Sequence, residues 1–228
     1  MTKQKQTKER QYEALFEAEI EHKRTELGLM SNHTWANDPK RLLFLLARYK
    51  FVARMLEGCE KVLEVGCADA FGTRVVQQTV GDVYAIDFDP VFIEDVKSRL
   101  DPRWPLGCAT HDMLLGPVKP EGFDAAFALD VLEHIQPSDE AAFLVNMSNS
   151  IKQHGSLILG MPSIESQKYA SPQSKEGHVN CKSGEEFRKT MAKYFHNVFM
   201  FSINDEVVHT GYFPMAHYLV AVCTSKKM

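Results

Sequence analysis

Between Lys61 and Pro162, five short apolar runs alternate with helix-forming segments, and this alternation restricts the chain to very few folds. The runs are KVLEVG (61–66), DVYAID (82–87), a weaker PLGCATHD (105–112), FDAAFALD (123–130) and GSLILGMP (155–162). Helical patterns separate them: FGTRVVQQTV (71–80), Pro90 to Leu100 with Asp89 as cap, and Ser138 to about Gln153 with Ser138 as cap. Strand, helix and strand in succession give right-handed crossovers and a mainly parallel sheet. Ser183 caps a further helix through Tyr194, with Glu185 and Glu186 in its first turn, where negative charge suits the helix dipole. The last two runs, NVFMFSIN (197–204) and HYLVAVCT (217–224), have no helical pattern between them and are expected to pair antiparallel. The expected fold is α/β and doubly wound: a mainly parallel seven-stranded sheet with the last strand antiparallel, plus an N-terminal helical extension.

The extension reads as an amphipathic helix from about Thr2 to Leu29, carrying a thin stripe of Leu15, Phe16 and Ile20, either solvated or packed on the domain. A break follows at MSNHTWANDPK (30–40). Asp38 then caps a helix with Pro39 in its first turn, running to about Gly58 with most of its surface buried. Residues 1–40 are thus expected to form the extension, with His33-Thr34-Trp35 as a candidate lid, and residues 41–228 the main domain. With 44% hydrophobic and 25% charged residues in 228, a core needs no disulfide or metal. The five cysteines are odd in number and contain no Cys-x-x-Cys pair, which points to a reducing, cytoplasmic setting. Lys+Arg is 26 and Asp+Glu 30, and a net charge of −4 disfavours a nucleic-acid partner. The basic cluster Lys3 to Arg10 is confined to the tail, and the start MTKQKQTKER has no apolar leader. The apolar cluster Leu42 to Ala47 is too short to span a membrane. A monomer or homodimer is expected.

In doubly wound sheets, ligands sit at the carboxyl ends of the strands near the switch point. Four strand ends here converge with an acid or a small-residue turn: Glu64 to Gly72, Ile86-Asp87-Phe88, His111-Asp112-Met113 and Leu129 to Ile135. The run 66–70 lets backbone approach a ligand closely. Asp87 is placed to accept from both hydroxyls of a ribose. Asp112 and the Met113 backbone suit an adenine, and Phe88 can pack on it. A dinucleotide is poorly served, because Phe71 replaces the third glycine of the G-x-G-x-x-G turn.

VLEVGCADAFG, AIDFDP, HDM and FDAAFALDVLEHI, in this order and spacing, resemble the first four motifs of the class I (Rossmann-like) S-adenosylmethionine-dependent methyltransferases. The nearest resemblance is to the small-molecule group with a D-V-L-E-H turn after strand four. It covers about residues 48 to 162. It implies S-adenosylmethionine as cofactor, with Gly66, Cys67 and Ala68 lining its methionine portion and Glu64 supporting that turn. Asp87 would hold the ribose, Asp112 and Met113 the adenine. Asp130 would sit under the amino group and Arg48 on the carboxylate. Ala68 and Ala70 depart from the family's E-x-G-x-G-x-G, and a methyl group at either place disfavours positive φ.

Methyl transfer from a sulfonium needs alignment and a dry cavity, and a hydroxyl or amine acceptor can also need a base. His134 is the first candidate and His178 the second, with His33, His111 and His209 as further options; Glu133-His134 could instead cap a turn. The segment EVVHTGYFPMA (206–216) is a candidate wall of the acceptor site. No metal is expected, although Asp112, Asp130 and the histidines could gather one. The chain lacks an Asn/Asp-Pro-Pro-Tyr tetrapeptide and a Pro-Cys dipeptide, so a small-molecule acceptor, most simply a hydroxylated metabolite, sugar or glycan end, is expected. N-methylation of a small amine, a nucleotide-dependent oxidoreductase and a non-catalytic cofactor-binding domain are the alternatives.

Overall fold

The computed structural model describes residues 7–22, 24–118 and 122–227, with Ile20 and Glu21 described by their backbone alone. A short 3-10 turn at Arg10–Tyr12 leads into α1 (Glu13–Glu21), followed by α2 (Leu29–Asn37) and α3 (Lys40–Met55). The order then runs β1 (Lys61–Val65), α4 (Thr73–Val76), β2 (Asp82–Asp87), α5 (Pro90–Ser98), β3 (Gly107–Thr110) and β4 (Phe123–Leu129). α6 (Glu140–Ser150), β5 (Ile151–Pro162), α7 (Pro172–Gly177) and α8 (Gly184–Met191) follow, and β6 (Phe195–Asn204), β7 (Val207–His209) and β8 (Tyr218–Lys226) close the fold.

The strands form one sheet in the order β3-β2-β1-β4-β5-β8-β6-β7. β1 to β5 pair in parallel, and β8 inserts antiparallel between β5 and β6, as expected. Among the described residues, the sheet has eight strands rather than seven. The additional strand, β7, pairs antiparallel with the end of β6 across a two-residue turn, Asp205-Glu206, with Asp205 at φ 52°. Three residues are too few to carry an alternating pattern, which is why the sequence reads there as loop.

Strict alternation along the strands builds two cores, one on each face of the sheet. Val62, Val83, Ala125, Phe127, Ile158 and Val220 meet Tyr49, Val52 and Leu56 of the α3 segment. Leu63, Ile86, Ala126, Leu157 and Leu219 meet Leu144 and Met147 of α6 and Phe187 of α8. Asp89 caps α5 through the amide of Val91, and Ser183 and Glu186 form a capping box on α8.

Four local expectations change. The segment 30–37 forms α2 rather than a break, while α1 ends at Glu21 and residues 24–28 are not helical. Part of the long N-terminal helix, namely residues 1–6 and Lys23, lies outside the described residues. α3 is buried along one side only, with Leu43 and Met55 exposed. α4 is a single turn, and α6 begins at Glu140 without a Ser138 side-chain cap. Among the described residues, no helix is long and apolar enough to cross a membrane.

Candidate active site

The strand order reverses between β1 and β4, and there the first turn opens. Glu64 is buried in β1 and accepts from Tyr49 Oη at 2.7 Å and Thr73 Oγ1 at 2.6 Å. Burial pushes its carboxyl up to about 7 against the opposing pull of the Thr73 and Tyr49 hydroxyls, with Asp87 and Asp69 adding to the rise. The amides of Gly66 and Cys67 both donate to Ile86 O, at 2.8 and 3.0 Å. Gly66 has φ +75°, and a Cβ there would lie 2.3 Å from Val131 Cγ2. Ala68 and Ala70 take φ of 45° and 52°. The alanines therefore keep the left-handed geometry that glycine normally supplies, at roughly 1–2 kcal/mol per residue. Asp87 holds the turn there, its Oδ2 accepting from Ala68 N at 2.9 Å and its Oδ1 from Asp89 N at 3.0 Å. Each carboxylate oxygen retains further acceptor capacity for a ligand.

At the ends of β2 and β3, Phe88 is 73% exposed. Asp112 is half-buried and accepts from Leu114 N at 2.8 Å, while the Met113 side chain is buried in the core. Beyond β4, Asp130 takes φ 57° and both its carboxylate oxygens accept from Arg48 Nη1. The Arg48 guanidinium lies 3.7 Å over the Tyr218 ring. The structure thus joins Arg48 and Asp130, which the resemblance assigns to the two ends of one amino-acid group. Arg48 Nε is buried and unpartnered. An unused donor and a paired acid and base thus stand where the resemblance puts the methionine end of S-adenosylmethionine, while Val131 Cγ2 covers the Gly66 Cα.

The next residues gather a second group. His134 and His178, 44 positions apart, meet edge to face at 5.1 Å between ring centroids. The amides of Val179 and Asn180 both donate to Glu133 O, at 2.8 and 3.0 Å, which fixes the 177–180 segment against the β4 turn. Glu133 does not cap a turn: it is 1% exposed and, among the described residues, neither carboxylate oxygen has a hydrogen-bond partner. Burial raises its carboxyl well above the usual range, and the nearby Asp130 adds to this. Burial also lowers the pKa of His178, helped by the neighbouring His134. One donor atom from each of Glu133, His134 and His178 lies within 4.8 Å of the other two.

The other candidate histidines, His33, His111 and His209, have local contacts. His111 Nε2 is 2.9 Å from Gly116 O, His209 Nδ1 is 2.9 Å from Gly211 N, and Asn37 Nδ2 donates to His33 O at 2.8 Å. His33-Thr34-Trp35 lies on α2, with Trp35 60% exposed. The segment 206–216 returns to the carboxyl end of β5, where Ser163 Oγ donates to Ala216 O at 2.6 Å, and it leaves Tyr212 and Met215 exposed.

Sequence reasoning did not assign Tyr49, Thr73 or Asp69. The Asp69 carboxylate accepts from both Ser31 N (2.6 Å) and Ser31 Oγ (3.1 Å), tying α2 to the β1 turn. Asp69 stood in the quoted turn, but its partner lies 38 positions upstream in a segment read as a break.

A family model described as a methyltransferase domain matches residues 63–159. A curated relative, the mitochondrial ubiquinone biosynthesis O-methyltransferase of Schizosaccharomyces pombe, is 31% identical over 104 residues. That match covers 44% of this chain and 37% of the relative, so the chain spans little more than a third of the relative's length. Among solved structures, the complex of the Haloferax volcanii Trm112 methyltransferase activator with a methyltransferase matches with TM-score 0.66 and 12% identity, over 89% of this chain and 100% of that one. The N-methyltransferase NodS from Bradyrhizobium japonicum, in complex with S-adenosyl-L-homocysteine, matches with TM-score 0.59 and 18% identity, over 86% and 96%. Over its central strands and turns, residues 63–159, this chain is similar to a methyltransferase domain, and it shares its fold with these solved methyltransferases.

Proposed function

We propose that this protein transfers a methyl group from S-adenosylmethionine to a hydroxyl oxygen of a small metabolite. The observation that carries this reading is the β1 turn: Ala68 and Ala70 stand in left-handed conformations with Asp87 bonded across to the turn, which supports a cofactor cradle formed without two of the family's glycines. The partial likeness to an O-methyltransferase supports oxygen as the acceptor atom. When bound, the cofactor would supply an electrophilic methyl on a sulfonium whose leaving group is a neutral thioether.

The chain's own residues would bind and orient. Asp87 would hold the ribose hydroxyls, and Asp112 with the Met113 backbone the adenine, beside Phe88. Gly66, Cys67 and Ala68 would line the methionine portion, with Arg48 on its carboxylate and Asp130 on its amino group. His134 and His178, at the β4 end, would manage the proton that leaves the acceptor hydroxyl. His178 is suited to this because burial favours its neutral form. The exposed Tyr212 and Met215 would wall the acceptor side.

Calorimetric titration with S-adenosylhomocysteine, with NADH as the control, tests the cofactor. Micromolar binding of the former alone is expected, and its absence would sink the reading. Loss of that binding by about 100-fold or more in Asp87→Ala tests the ribose assignment, since hydrogen bonds to a charged group contribute about 1.5–3 kcal/mol each. A screen of hydroxylated and amine acceptors then separates O- from N-methylation.

A further inference from the structure

We propose that Glu133, His134 and His178 form a binding site for one divalent first-row transition-metal ion. Three observations converge on it. The Glu133 carboxylate is buried with both oxygens unpartnered among the described residues, a costly arrangement that a cation within reach would relieve. Donor atoms of the three residues already lie within 4.8 Å of one another. Bonds of about 2.0–2.2 Å in a tetrahedral sphere bring donors to about 3.4 Å apart, so small side-chain rotations close the set.

The third observation concerns how the imidazoles are held. His134 Nδ1 is 2.9 Å from Gly177 O, and a carbonyl only accepts, so Nδ1 carries the proton. His178 Nδ1 is 2.8 Å from Gln167 Oε1. The orientation of that amide is fixed, because Gln167 Nε2 donates to Ser163 O at 3.2 Å. Both rings are therefore pinned through Nδ1–H to an oxygen acceptor, leaving the Nε2 lone pair to bind a cation. Ligand histidines are oriented in this way around metals, and two histidines with one carboxylate leave a coordination position for water or a substrate oxygen.

An ion here would hold the acceptor hydroxyl and lower its pKa, so that its proton passes to water as the C–O bond forms. That role rests on the methyl-transfer reading and replaces a free imidazole as base. The binding site itself does not rest on that reading.

The test is titration of the full, chelator-stripped chain with Co²⁺ and Zn²⁺. One equivalent of Co²⁺ should bring visible d–d bands, and one equivalent of Zn²⁺ should bleach them. Glu133→Gln and His178→Ala should each weaken Zn²⁺ binding by more than about 100-fold, and Gln167→Ala by about 10-fold. His209→Ala should bind as the parent chain does. Absence of bands and of Zn²⁺ binding in the parent chain would overturn the proposal, as would unchanged binding in folded His178→Ala. S-adenosylhomocysteine titrated in parallel separates the two readings. Cofactor binding without metal binding defeats the ion site alone, and metal binding without cofactor binding defeats methyl transfer alone.

Discussion

Arg48 Nη1 lies 2.8 Å from Oδ2 and 2.9 Å from Oδ1 of Asp130, so one nitrogen serves both oxygens of the carboxylate at the β4 end. The Arg48 side chain is only 15% exposed, but Asp130 is 32% exposed, so solvent weakens the pair. Arg48→Met and Asp130→Asn should each cost about 1–2 kcal/mol in urea unfolding, below the 3–5 kcal/mol of a fully buried pair. The double variant should cost clearly less than the sum. Additive losses would show that the two residues are not coupled.

Ala68→Gly and Ala70→Gly remove the left-handed penalty while adding chain entropy to the unfolded state. The balance of roughly 1–2 against 0.4–1 kcal/mol favours glycine. The paired substitution should raise stability by about 1 kcal/mol and leave S-adenosylhomocysteine affinity equal or higher. Reduced stability would mean that the turn is not left-handed at these positions.

Glu64 provides a pH test. Its folded carboxyl sits at about 7 against an ordinary 4.5, so the folded state holds a proton that the unfolded state has already released between these values. Stability from this group is therefore fully present below about pH 4.5, falls as pH rises to about 7, and is level above that. The fall is on the order of 3 kcal/mol. Glu64→Gln, which has no carboxyl to titrate, should lose this fall. Unfolding of both proteins at pH 5 and pH 8 measures it, and parallel pH profiles would contradict the assigned environment.

His134→Ala should slow turnover by about 100-fold or more, whether its ring takes the acceptor's proton or holds the ion that lowers the hydroxyl's pKa, with little change in cofactor affinity. Single-turnover assays alongside cofactor titration separate the two effects. Full turnover in the variant would remove His134 from the reaction.

Much of this architecture was readable because strands and their terminal acids are local signals. The runs ending at Glu64, Asp87 and Asp130 show their alternation within a few residues, and Asp89 and Ser183 cap where their spacing places them. What escaped was long-range or too short. Tyr49 reaches Glu64 from α3, Ser31 reaches Asp69 across 38 positions, and β7 has only three residues. His134 and His178 were each selected from local context, but their meeting depends on the backbone of Val179 and Asn180 closing on Glu133 O. Such a juxtaposition has no signature in residue spacing.

The bonds from Ser31 to Asp69 make one amide proton a gauge of how firmly α2 is held to the β1 turn. Because Asp69 stands inside the β1 turn, α2 can lift away from that turn only by breaking these two bonds. The hydrogen-exchange rate of the Ser31 amide should then report how often α2 detaches from that turn, and slow when S-adenosylhomocysteine is added.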